Sequence, residues 1–187
     1  MRIEPVGDLP EMRGFETVIV TSRNAVRRLG KALQGRRVAT VGEATAESAR
    51  EFGADATCHG ETLDEFLTKA EKLIGPLLHC RGVHSRGKLA ETLRAKGFDA
   101  AEAVIYDQVE IPLNGAAREL LNGNSKVCAP VFSPRSARLL SGHEFSADMN
   151  IVAISQNTAE AWGSTGHISV AEEPTANAMC KAVLEAI

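Results

Sequence analysis

An α/β protein of two similar lobes is what the sequence predicts, and three observations predict it. Short apolar strands alternate with longer amphipathic stretches, the pattern of parallel strand-helix units. The strands are continuous apolar runs, as in ETVIV (16–20), so each sheet is expected to be covered on both faces. Finally, the second half repeats the first. Ser22 and Ser133 stand 111 residues apart, and Thr45 and Thr158, like Thr62 and Thr175, stand 113 apart. The flanks agree as well, TSRNAVRRL with FSPRSARLL and VGEATAESAREFGA with ISQNTAEAWGSTGH, which signals internal duplication.

The elements follow in order. After a short extended piece, RIEP, the run 16–20 leads into a helix over NAVRRLGKAL. RRVATV (36–41) leads into EATAESAREFG, where Gly53 supplies a helix stop. A weaker strand near 55–58 precedes ETLDEFLTKAEKLI, in which Thr62 and Glu65 have capping-box spacing. PLLHC (76–80) precedes the helix RGKLAETLRAKG, and FDAAEAVIY follows. IYDQVEIPLN is an extended run ending in proline, a linker between lobes. Beyond it come a helix over GAARELLNG, the strand KVCAPVFS, the helix RSARLLSG, and two more strand-helix units that begin at NIVAIS and at ISVAEEP.

Composition narrows the function. The chain of 187 residues is 44% apolar and 24% charged, enough to bury a core and too apolar for wholesale disorder. A net charge of -3 argues against a general nucleic-acid or membrane-surface binder. No apolar run reaches the roughly 18 residues of a membrane span. The start, MRIEPVGDLPEM, has acids and prolines where a signal peptide has an apolar core, so a cytoplasmic location is expected. Cys58, Cys80, Cys128 and Cys180 are widely and irregularly spaced, as reduced thiols are. Cys58-His59 and His79-Cys80 would form a zinc site only if their strands lay side by side. Neighbouring residues on a strand point to opposite faces, which disfavours it.

The strand count of the two lobes is unequal. The first has five candidates, near 16, 37, 55, 77 and 100; the second has three, near 127, 150 and 168. The expectation is that a strand-helix-strand unit of the second lobe belongs before Met1.

Ligands of parallel α/β sheets bind outside the carboxyl ends of the strands. Ser22, Thr45, Ser133 and Thr158 all fall at strand-to-helix turns, where a hydroxyl caps a helix and free N–H groups favour an anion. Four such turns in symmetric places predict an anion-binding groove. RGVHSRGK (81–88), basic and glycine-bearing before a helix, adds Arg81 and Gly82 as groups able to approach an anion. No dinucleotide or phosphate-loop fingerprint and no GxSxG elbow is found.

The ordered phrases VIVTSRNAV, VATVGEATAESAREFGA, LLHCRGVHSRGKLAETLRAKGFDAAEAVIYDQ, VFSPRSARLL and IVAISQNTAEAW resemble the uroporphyrinogen-III synthases, over nearly the whole chain from residue 2. The resemblance implies two flavodoxin-like parallel-sheet lobes joined by a two-stranded antiparallel linker, with the active cleft between the lobes. Residues near 2–6 would pair with residues near 105–111. The chain then divides into a linker strand and lead-in (1–13), a first lobe (14–104), a linker strand (105–111) and an incomplete second lobe (112–187). The family cyclises hydroxymethylbilane, a linear tetrapyrrole with eight carboxylates, inverting the last pyrrole ring and losing water. That makes it a hydro-lyase of heme biosynthesis that uses no metal or organic cofactor. The resemblance marks Tyr106 as catalytic, assisting departure of the substrate hydroxyl. Ser22, Thr45, Ser133 and Thr158 match the cleft hydroxyls, and Arg23, Asn24, Ala46, Arg81 and Gly82 complete the expected substrate-binding set. Ser155 stands where many members have glycine. A monomer acting on a small molecule, without nucleic acid or membrane, is expected. A non-catalytic anion-binding module or an inactive truncated paralogue on the same scaffold is the alternative, distinguished by turnover.

Overall fold

The computed structural model describes residues 1–84, 88–163 and 166–187. The chain forms two compact units, Met1–Glu110 and Ile111–Ile187. In the first, strands β1 (Arg2–Pro5), β2 (Thr17–Val20), β3 (Arg37–Thr40), β4 (Asp55–Cys58), β5 (Leu77–Gly82) and β6 (Ala100–Val109) make one sheet in the order β1-β6-β5-β2-β3-β4. All pairings are parallel except β1 with β6. Helices α1 (Arg23–Leu29), α2 (Glu43–Glu51), α3 (Leu63–Thr68) and α4 (Leu89–Ala95) connect the parallel strands.

The continuous apolar strands now have their reason. Val18, Val20, Val38, Leu78 and Cys80 pack on one face with Ala25, Val26 and Leu29 of α1 and Ala46 and Ala49 of α2. Ile19, Ala39 and Leu77 pack on the other with Phe66 of α3 and Leu89 and Leu93 of α4. Each strand therefore feeds two cores by alternation, and a polar face would be left buried by neither.

Strand β6 pairs with β5 through its first half and with β1 through its second. The β5 register runs Arg81↔Val104 and then Gly82↔Tyr106, so Ile105 is the extra residue of a β-bulge. The freed carbonyl of Ile105 is not orphaned: it accepts Val6 N–H at 3.1 Å and Arg28 Nε at 3.2 Å. Ile105 and Tyr106 consequently share one apolar cluster despite being consecutive.

The second unit holds a three-stranded parallel sheet among the described residues, β7 (Lys126–Val131), β8 (Asp148–Ala153) and β9 (His167–Val170), in that order. It carries helices α5 (Gly115–Leu121), α6 (Pro134–Ser141), α7 (Gln156–Trp162) and α8 (Ala176–Ala186). Ala137 of α6 and Ala159 and Trp162 of α7 cover one face over Met149, Ile151 and Ala153. Met179 of α8 covers Val152 on the other. The series β2-α1-β3-α2-β4-α3 thus has its counterpart in β7-α6-β8-α7-β9-α8, with two helices on one face and the third opposite.

The structure adds detail to several expectations. The boundary drawn between 104 and 105 falls inside one unbroken strand, β6, because the bulge lets the chain change partner without leaving the sheet. The Thr62–Glu65 capping box is half formed: Thr62 Oγ1 accepts Glu65 N–H at 3.2 Å, but Glu65 Oε2 accepts from Glu61, one residue early. The two Cys-His pairs cannot meet, since β2 and β3 separate β5 from β4. No cluster of metal-ligating groups occurs among the described residues.

Candidate active site

The chain runs outward from β2 through β3 to β4, then returns to the other side of β2 to form β5. That reversal parts the helical crossovers at the carboxyl ends of β2 and β5, where parallel sheets keep their ligand crevice. A cavity of about 330 Å³ lies there. Thr21, Ser22, Gly82, Tyr106, His84 and Gln108 supply its polar lining, and Val41, Leu63, Leu89 and His79 the remainder.

Tyr106 is 5% exposed, and its placement depends on Gly82. A Cβ at position 82 would stand 2.7 Å from Cζ and Cε2 of the tyrosine and 3.0 Å from its hydroxyl oxygen. Only a residue without a side chain allows the ring to lie over the end of β5. The bulge at Ile105 brings the ring opposite Gly82, so the sheet irregularity and the glycine together set the phenol in the cavity wall.

Ser22 caps α1: its backbone is extended and its Oγ accepts Asn24 N–H at 3.1 Å, leaving its own O–H to donate. His84 Nε2, at the rim, lies 3.4 Å from Asp107 Oδ1.

The sequence offers His79 only as a disfavoured zinc ligand, because one polar residue inside an apolar strand carries no other signal. It is 3% exposed, and neither ring nitrogen has a hydrogen-bond partner among the described residues. Burial, against a partial opposing pull from Glu102, pushes its pKa down to about 4, with Arg81 lowering it further; the ring is neutral at physiological pH.

The other expected site residues lie elsewhere. Arg81 donates twice to Glu102, at 2.8 and 3.1 Å, and once to the Gly82 carbonyl at 3.0 Å, so its charge is matched within the sheet. The ion pair holds the Glu102 carboxyl below its ordinary pKa. Arg23 is exposed and Ala46 is fully buried in the core. Thr45 is not a cap: the cap of α2 is Gly42, at φ 81°, and Thr45 is the third helical residue. A carboxylate already meets that helix end, Glu61 Oε1 accepting Glu43 N–H at 3.1 Å. Ser85, Arg86 and Gly87 of the basic turn lie outside the described residues.

In the second unit Ser133 caps α6, accepting Ser136 N–H at 3.0 Å with Pro134 as the first helical residue. Thr158 is fully buried, and the cap position of α7 is Ser155, whose Oγ lies 3.1 Å from Thr158 Oγ1. Both turns sit at the carboxyl edge of the adjacent strands β7 and β8.

Against known proteins, the sequence model of one family, described as uroporphyrinogen-III synthase HemD, matches residues 2–181. No curated protein matches the chain. Among solved structures, the crystal structure of uroporphyrinogen-III synthetase from Helicobacter pylori 26695 is similar, with a TM-score of 0.77 at 20% identity. The match covers 98% of this chain and 89% of that one, a likeness of fold.

Proposed function

The chain belongs to the uroporphyrinogen-III synthase family, and on that premise we propose how its residues share the work. Its function is the cyclisation of hydroxymethylbilane to uroporphyrinogen III, with inversion of the last pyrrole ring and loss of water. It is a lyase of tetrapyrrole biosynthesis acting on a small molecule. The observation that carries the site assignment is the Tyr106 phenol, seated over Gly82 in a cavity that Ser22 also lines.

In this reading Tyr106 hydrogen-bonds the departing hydroxyl. The bond from the terminal carbon to that oxygen breaks, and the phenol gives the oxygen its proton. The pyrrole carbon that forms the closing bond later gives up a proton, so one water leaves overall. A phenol is a modest general acid. Most of the work is therefore positioning, holding the two chain ends so that the inverted closure outruns the direct one. Ser22 donates to a substrate oxygen while its lone pair caps α1. Ser133 and Ser155 take the equivalent task in the second unit, and Thr158 acts through Ser155. Arg81 contributes by fixing the end of β5 rather than by touching the substrate.

We place the two units as the family's two lobes, with β1 and the second half of β6 as its two-stranded linker. The active form is proposed to be a cytoplasmic monomer. No described helix is long and apolar enough to cross a membrane. The deciding experiment is turnover of hydroxymethylbilane followed by isomer analysis of the oxidised product. A product enriched in isomer III is expected; isomer I alone, at the uncatalysed rate, overturns the assignment.

A further inference from the structure

An imidazole buried without a hydrogen-bond partner costs free energy in the folded chain. His79 carries two nitrogens without a partner among the described residues, on a strand face it shares with aliphatic Ile19, Ala39 and Leu77 and with the mutually paired Arg81 and Glu102. Leucine would pack at the same place with no such penalty. The ring borders the cavity, between the aliphatic walls of Val41, Leu63 and Leu89.

The geometry points to His79 as the ligand-binding residue of a one-pyrrole pocket, its unprotonated nitrogen accepting the N–H of a substrate pyrrole ring. This rests on the function proposed above and names the part of the substrate that the cavity takes. Three features select a pyrrole ring over a carboxylate side chain. At about 330 Å³ the cavity lies at the small end of ligand pockets, roughly 300–1,000 Å³, which suits one substituted ring and not four. Its inner walls are aliphatic, matching the ring faces, and a carboxylate there would lose hydration while Arg81, the cation on that strand, is already paired with Glu102. A neutral imidazole offers one acceptor and one donor, and the single in-plane donor of a pyrrole needs one acceptor. The polar rim of Ser22, Tyr106, His84 and Gln108 is left for the oxygen-bearing substituents.

The probe is a monopyrrole carrying acetate and propionate side chains, together with its N-methyl derivative, titrated calorimetrically into the full chain. The parent protein should bind the N–H form about tenfold more tightly than the N-methyl form. In His79→Leu that preference should vanish, and KM for hydroxymethylbilane should rise about tenfold with kcat little changed. The ligand-free melting temperature should rise at the same time, because the unsatisfied nitrogens are gone. His79→Gln, which keeps an acceptor and a donor, should recover part of the preference. Equal binding of the two pyrroles by the parent, or an unchanged KM in His79→Leu, overturns the inference. So does a ligand-free loss of folding in both variants, which would make His79 a packing residue. An inactive parent overturns the enzymatic reading and is seen separately, since pyrrole binding is measured without turnover.

Discussion

The two units present the same βαβαβα series, and in the first a cavity lined by Ser22, Gly82 and Tyr106 lies at the carboxyl edge of the strands. In the second, β7, β8 and β9 follow one another in a single direction. In the first, β5 returns to the other side of β2, and the crevice opens at that reversal. The hydroxyl turns are thus common to both halves, whereas the pocket belongs to the strands that reverse the order. The helix ends differ too. A carboxylate, Glu61, meets the start of α2, while a pair of neutral hydroxyls, Ser155 and Thr158, occupies the start of α7.

The largest effect expected to separate the units is one of pH, because His79 has no counterpart in the second. Its pKa is about 4 in the folded chain against 6.5 for an ordinary imidazole. Above pH 6.5 the ring is neutral in both states and contributes nothing. Between 6.5 and 4 the unfolded chain takes a proton that the folded chain refuses, so stability falls as pH falls, by about 3 kcal/mol in all. Urea titrations at pH 7 and pH 4.5 should show this fall, and His79→Leu should remove that share of it. A variant that loses as much stability as the parent over this window would show that His79 is not the group responsible.

Gly82→Ala comes next. Its Cβ collides with the Tyr106 ring, so turnover should drop about a hundredfold and stability by about 1–3 kcal/mol. Near-wild-type kcat in this variant would mean that the ring relaxes without cost. Tyr106→Phe keeps the packing and removes only the hydroxyl; kcat should fall tenfold to a hundredfold with product affinity nearly intact. Full activity would reduce the tyrosine to a wall of the pocket.

The smallest effects compare the caps. Ser22→Ala should cost about 1 kcal/mol, a shift of roughly 2–4 °C in Tm. Ser133→Ala should cost less, because the Ser136 hydroxyl, 2.8 Å from Ser133 Oγ, remains beside the helix end. Both variants should lose turnover, the Ser22 variant more, because its hydroxyl also lines the first-unit cavity. Equal kinetic losses in both would argue that the hydroxyls act alike and that the cavity adds nothing.

Much of this architecture was legible in the sequence because its signals are local. The caps Ser22, Thr62, Ser133 and Thr175 announce themselves by one hydroxyl before a helical run, and each accepts the expected N–H. Thr45 and Thr158 misled for the same reason: a hydroxyl three residues into a helix looks like a cap when Gly42 or Ser155 precedes it. What stayed hidden depends on pairing between distant residues. Arg81 reads as a free cation until the β5–β6 register brings Glu102 alongside. Gly82 reads as a flexible turn until a one-residue bulge swings Tyr106 over it. His79 gave no periodic signal at all, and its meaning lies in the partners it lacks.

The bulge also sets a clock. An edge strand at a chain terminus ordinarily frays, and its amides exchange with solvent deuterium early. Val6 N–H, however, is held by the carbonyl that the bulge releases at Ile105. Arg28 closes over the same carbonyl and reaches Gly7 O at 2.8 Å with its other arm. Exchange at Val6 is therefore tied to the opening of β6 and α1 together rather than to the loose end beside it. The residue that follows a frayable strand becomes a slow isotope reporter on the strand that carries Tyr106.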